Sequence, residues 1–135
     1  MSLILPPALR RWHEIALSRD AAALDELLAD DVTFFSPIVH TPQKGRAKTR
    51  AYLGAALAVL GGEHFRYIGE WIGESSAVLE FTTRFDQIEV DGVDIIGWNA
   101  EGRIVSFKVM VRPLQAIQAV HQKMAAMLSS MQQQQ

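Results

Sequence analysis

The chain has 135 residues, a formal charge of −2 and a pI of about 6.1; 49% of its residues are hydrophobic, 21% are charged and none is cysteine. That balance belongs to a folded globular domain rather than a disordered chain, and the lack of a basic run argues against nucleic acid as a partner. Without cysteine there is no disulfide, no thiolate nucleophile and no cysteine-ligated zinc or iron–sulfur site.

No apolar run reaches the ~18 residues a membrane span needs. The opening MSLILPPALRRW lacks the basic region and apolar length of a signal peptide. The expectation is a soluble, cytoplasmic protein forming one domain over residues 1–135. Residues 1–112 would be its core, 113–131 a C-terminal helix and 132–135 a frayed tail.

Pro6 and Pro7 suit the first turn of a helix, where a missing N–H costs nothing. Leu9, Trp12, His13 and Ala16 follow at helical spacing. Asp20 can cap a second helix whose stripe is Ala23, Leu24, Leu27 and Leu28, ending at Asp30-Asp31. Val32 to Phe35 is β-branched and aromatic and predicts a strand. Ser36-Pro37 stops it, because proline cannot donate to a ladder. Gly45 opens a third helix over about 47–60, and Gly61-Gly62 ends it.

The period then changes. Strands are predicted over 64–72, 77–85, 88–98 and 104–112, with short breaks that imply antiparallel pairing; the last break, Asn99 to Gly102, is a hairpin loop. Pro113 precedes a long helix carrying Leu114, Ile117, Val120, His121, Met124, Met127 and Leu128. Helices followed by an antiparallel run predict an α+β fold: a curved, mainly antiparallel sheet with helices enclosing an apolar pocket.

Residues RRWHEIALSRDAAALDELLADDVTFFSP and GVDIIGWNAEGRIVSFKVMVRP resemble the opening and the last hairpin of SnoaL-like and ketosteroid-isomerase-like proteins, members of the cone-shaped, cystatin-like nuclear transport factor 2-like superfamily. The superfamily hosts isomerases, hydrolases, cyclases, dehydratases and binders without chemistry, so the resemblance implies a fold more than an activity. In the isomerase branch a first-helix tyrosine donates to an oxyanion, an aspartate before the strand-end proline is the base, and a protonated aspartate ahead of the last turn is the second donor. The matching positions here hold Trp12, Ser36 and Asp94. A serine hydroxyl cannot serve as a base near neutral pH without a base of its own, and an indole N–H cannot share a proton as a phenol does. Steroid-type isomerisation is therefore not expected.

Asp94 alternates with Val90, Gly92, Ile96 and Trp98, so one strand register turns it inward among apolar groups, where it would either pair or hold a proton. The other register turns Val93 and Ile95 inward and leaves Asp94 solvated. His13 can reach the hollow from the first helix, and His40 lies near its mouth. His64 and His121 suit a sheet edge and a helix surface. No helical H-x-x-x-H or E-x-x-H pair supports a metal, no G-x-S-x-G elbow supports a nucleophilic serine, and no cofactor is expected.

The expected pocket lining is Trp12, Tyr52, Phe81, Phe85, Ile96, Trp98, Phe107 and Val109, with Asp94, Ser36, His13 and His40 as polar anchors. Such a lining suits a small apolar organic molecule. Arg84 and Arg112 fall on the outer sheet face with Val78, Met110 and either Trp71 or Ile72; the resemblance implies a homodimer through that face. Two readings stand: a ligand-binding domain without catalysis, and a cofactor-independent acid–base enzyme using Asp94 with His13 or His40.

Overall fold

A computed structural model describes residues 5–133. The readings of Met1–Ile4 as part of an opening too short for a leader, and of residues 134–135 as frayed, lie outside the described residues. Pro6 precedes helix α1 (Pro7–Ser18), which buries Ala8, Leu9, Trp12 and Ile15 on one face. Arg19 ends it in the left-handed conformation, φ 59°, its N–H donating to the Ile15 carbonyl at 2.7 Å.

Asp20 caps as expected, its Oδ1 accepting from the Ala22 N–H at 3.2 Å. The helix it opens is much shorter than the leucine stripe implies: a 3₁₀ turn (Ala21–Ala23) leads into α2 (Leu24–Leu27), and strand β1 begins at once (Leu28–Phe35). The helical reading of Leu28 to Asp31 is corrected here. Leu28 pairs with Ile104, and the register slips before Thr33, so Leu28, Ala29, Val32 and Phe34 are buried while Asp30 and Asp31 stay in water. Pairing and burial outweigh a weak helical preference.

A two-residue strand β2 (Gln43–Lys44) pairs antiparallel with Thr33 and Phe34. Gly45, at φ 99°, turns the chain into α3 (Arg46–Leu60). Strands β3 (Arg66–Ile72), β4 (Ser76–Phe85), β5 (Ile88–Trp98) and β6 (Ile104–Arg112) follow, then α4 (Leu114–Gln133). The helix thus continues past the predicted boundary at residue 131. Asn99 fixes the β5–β6 loop, its Oδ1 accepting from the N–H groups of Glu101 and Arg103, each at 3.0 Å.

The six strands form one curved, mixed sheet in the order β2-β1-β6-β5-β4-β3. β1 runs parallel to β6, and the other neighbours are antiparallel. Burial alternates along β4 and β5, so Leu79, Phe81, Thr83, Val90, Gly92, Asp94 and Ile96 face the helices. Arg84 and Arg112 are exposed, as the strand parity predicts. The core lies between this inner face and α1, α3 and α4. Phe81 folds flat over Gly92: a Cβ there would meet Phe81 Cζ at 2.4 Å and the Met110 carbonyl at 2.8 Å. Among the described residues no helix is long and apolar enough to cross a membrane.

Candidate ligand site

Asp94 sits in the middle of β5, between Leu79 on β4 and Val109 on β6. It is 5% exposed. The Tyr67 hydroxyl donates to Asp94 Oδ2 at 2.6 Å, and Trp12 Nε1–H donates to the Tyr67 oxygen at 2.9 Å. Three elements meet in this chain: α1 supplies the indole, β3 the phenol and β5 the carboxyl. Asp94 Oδ1 accepts no hydrogen bond among the described residues.

Burial pushes the Asp94 carboxyl up to about 7, and the bond from Tyr67 opposes that rise. Burial also raises the Tyr67 phenol well above its usual value, and the charge and hydrogen bond of Asp94 add to the effect. Near neutral pH the carboxyl is divided between an ionised form that accepts and a protonated form that can also donate.

Around Asp94 the walls are apolar: Trp12, Leu53, Phe65, Phe81, Phe107 and Val109 enclose about 30 Å³. That space holds a water, not an organic molecule. An open cleft of about 420 Å³ between the end of α1 and the start of β3 shares Ala16, Phe65 and Tyr67 with it. A ligand reaching Asp94 from that side has to displace the Phe65 ring, which stacks on Phe81 with centroids 5.3 Å apart.

Of the eight expected lining residues, Trp12, Phe81, Phe107 and Val109 border the Asp94 cavity. Tyr52 borders a neighbouring apolar chamber, which shares Val109. Phe85, Ile96 and Trp98 line neither, and their assignment is corrected. Inward parity puts a residue on the right face, but the strands run past the hollow at both ends. Phe85 lies under α4 with Lys123 Nζ 5.1 Å from its ring, Ile96 is sealed in the core, and Trp98 lies beside Pro7, Ala8 and the β5–β6 loop.

The polar anchors do not converge either. His13 Nε2 meets Glu70 Oε1, and its ring stands edge-on to Tyr67 at 5.4 Å. It borders the open cleft, not the cavity. His40 is exposed in a groove beside Phe35, Pro42, Lys108 and Met110. Ser36 Oγ accepts from the N–H groups of Ile38 at 3.0 Å and Val39 at 3.3 Å, which fixes the bend after β1. Among the described residues neither His13 nor His40 hydrogen-bonds to Asp94, whose partner is Tyr67. Among those residues, no group of three or more histidine or acidic side chains could hold a metal.

Sequence reasoning missed Tyr67 and Glu70. Tyr67 carried a signal: a tyrosine alternating with Phe65 on an inward strand face needs a partner for its hydroxyl. Glu70 carried none. A bulge at Ile68 shifts the register between Tyr67 and Gly69, so Tyr67 pairs with Phe81 and Glu70 with Leu79, and both turn inward. The same shift turns Trp71 outward, opposite Val78.

Residues 9–107 match the model of the SnoaL-like domain. The chain belongs to the SnoaL-like family. A structure described as a steroid delta-isomerase from Pseudomonas aeruginosa is 35% identical, with 96% of each chain covered and a TM-score of 0.88. An uncharacterised protein with a cystatin-like fold from Silicibacter pomeroyi DSS-3 is 30% identical over 90% of this chain and 85% of that one, with a TM-score of 0.83. SalBIII, an epoxide hydrolase/cyclase-like enzyme in pyran ring formation in polyether salinomycin, is 17% identical over 78% of this chain and 88% of its own, TM-score 0.62, and shares the fold. No curated protein matches. This SnoaL-like domain has the nuclear transport factor 2-like architecture, which it shares with the relative described as a steroid delta-isomerase.

Proposed function

We propose that this SnoaL-like domain binds a small apolar organic molecule bearing one polar group, held at Asp94 once the Phe65 ring swings off Phe81 and opens the central hollow to the neighbouring cleft, and that it does so without catalysis. The observation that carries the reading is the buried Asp94–Tyr67–Trp12 chain in a cavity whose other walls are apolar. One hydrogen-bonding anchor among apolar walls selects by shape plus a single polar contact. The reading without catalysis is supported by the places of the other polar candidates: Ser36 serves a turn, while His13 and His40 face other clefts.

The test is a titration with small ring ketones and alcohols, following the Trp12 indole N–H signal and the Asp94 carboxyl carbon by NMR. Saturable shifts of both are expected in the wild type, and the Trp12 shift should disappear in Asp94→Ala. A ligand that binds and moves neither signal overturns the assignment.

A second reading follows from the relative described as a steroid delta-isomerase and from the carboxyl poised near 7. In it Asp94 is the acid or hydrogen-bond donor of a cofactor-independent enzyme. Turnover of an isomerisable enone by the wild type, abolished in a folded Asp94→Asn variant, would establish it.

Self-association belongs to the same proposal. The outer sheet face exposes Trp71 at 60% and Met110 at 49%, with Val78 and Ile95 half-buried on the neighbouring strands. A patch of this kind favours a second copy over water. A cytoplasmic location is likewise proposed, on the support of a cysteine-free chain.

A further inference from the structure

We propose that two copies of this chain, pairing through the outer sheet face, take up a proton at the Glu80–Asp91 carboxyl pair, so that the dimer tightens as the solution turns acidic. The inference rests on the self-association proposed above. Its geometry comes from the strand register. On the outer face Glu80 lies between Gly69 of β3 and Val93 of β5, and Thr82, the next outward residue of β4, lies opposite Asp91. Glu80 and Asp91 are thus diagonal neighbours on one pleated face, within reach of each other's side chains. Arg112, opposite Asp91 on β6, approaches its Oδ2 at 3.3 Å, the one ion pair either carboxyl makes among the described residues.

Trp71 connects this pair to the apolar patch. Its ring folds over Gly69, where an added Cβ would meet Trp71 Cη2 at 2.8 Å, and Gly69 is the residue beside Glu80. A second copy that covers the Trp71 ring therefore also removes water from Glu80. Two ionised carboxyls side by side repel, and desolvation raises the cost of each charge. A proton held between them removes one charge and adds a hydrogen bond, Glu80 donating to Asp91. In the single chain the hydrogen bond with Asp91 already holds Glu80 above its ordinary 4.5; partial burial and the Asp91 charge add to the rise, and Arg112 opposes it. The other charges facing this side are Arg66 on β3, opposite Thr82, Lys108 on β6, opposite Ile95, and Arg84 and Glu89, which face each other across β4 and β5.

The experiment is sedimentation equilibrium of the full chain at pH 5 and pH 8, at one ionic strength. The wild-type dimer Kd should be at least about threefold higher at pH 8, because a dimer that holds more protons than its separate chains weakens by mass action as pH rises. Glu80→Gln, which stays neutral, should have one Kd at both pH values, near that of the wild type at pH 5. Asp94→Asn should keep the wild-type dependence, because Asp94 titrates on the opposite, helix-covered face of β5. A smaller change in the wild type, a dependence that survives in Glu80→Gln, or one that disappears in Asp94→Asn would each overturn the proposal. A dimer of constant Kd would leave the self-association standing and remove only the proton link. A monomer at both pH values would remove both.

Discussion

Replacing Asp94 with asparagine tests the central feature of the site through stability alone. The folded state holds the Asp94 proton up to about pH 7, against an ordinary value of 3.8. The native chain therefore binds the proton more tightly than the unfolded chain. Stability is highest below pH 3.8, falls as pH rises towards 7, and is level above. Between pH 5 and pH 8 the wild type ionises Asp94 in the folded state. Two pH units at 1.36 kcal/mol each make that step worth about 3 kcal/mol. Asparagine has the same shape, keeps a carbonyl oxygen for the Tyr67 hydroxyl and carries no charge. The stability of Asp94→Asn minus that of the wild type should thus grow by about 3 kcal/mol from pH 5 to pH 8, because every other titrating group cancels in the difference. Urea denaturation of both proteins at half-unit pH intervals measures it. A difference that stays flat across the window would mean that Asp94 titrates as an ordinary carboxyl, and the picture of a desolvated anchor would be refuted.

Three further outcomes follow from particular contacts. Tyr67→Phe removes the donor that opposes the rise at Asp94, so a carboxyl titration should place Asp94 higher than in the wild type; the Trp12 N–H loses its acceptor, which costs about 1–3 kcal/mol in urea denaturation. Gly92→Ala forces a methyl into the Phe81 ring and the Met110 carbonyl and should destabilise by about 1–3 kcal/mol; an unchanged denaturation midpoint would show that Phe81 is free to move off the strand. Trp71→Glu places a charge in the outer apolar patch; sedimentation velocity should show a dimer in the wild type and a monomer in the variant, and equal sedimentation of the two would remove that face from the interface.

Much of the fold was legible because its signals are local and repeated. Pro6-Pro7, Gly45 and Gly61-Gly62 bracket helices through backbone chemistry that needs no partner. The alternation of Leu79, Phe81 and Thr83 with Arg84 reports a two-sided strand because successive side chains point to opposite faces. The inward position of Asp94 was one of two registers the sequence allowed, and pairing with Leu79 and Val109 selected it. Tertiary structure alone decided what depends on distant strands. Leu28 to Asp31 became strand because Leu28 meets Ile104 across seventy-odd residues of chain. Glu70 turned inward because a bulge at Ile68, which leaves no compositional mark, resets the parity of β3. Tyr67, rather than either histidine, reached Asp94 because α1 and β3 approach the same point of β5. By itself the sequence determined that a carboxylate stands on a central strand of a helix-covered sheet. The packing of elements far apart in the chain determined which hydroxyl meets it, how little space surrounds it and where the larger chamber opens, because those are distances, and periodicity carries no distances.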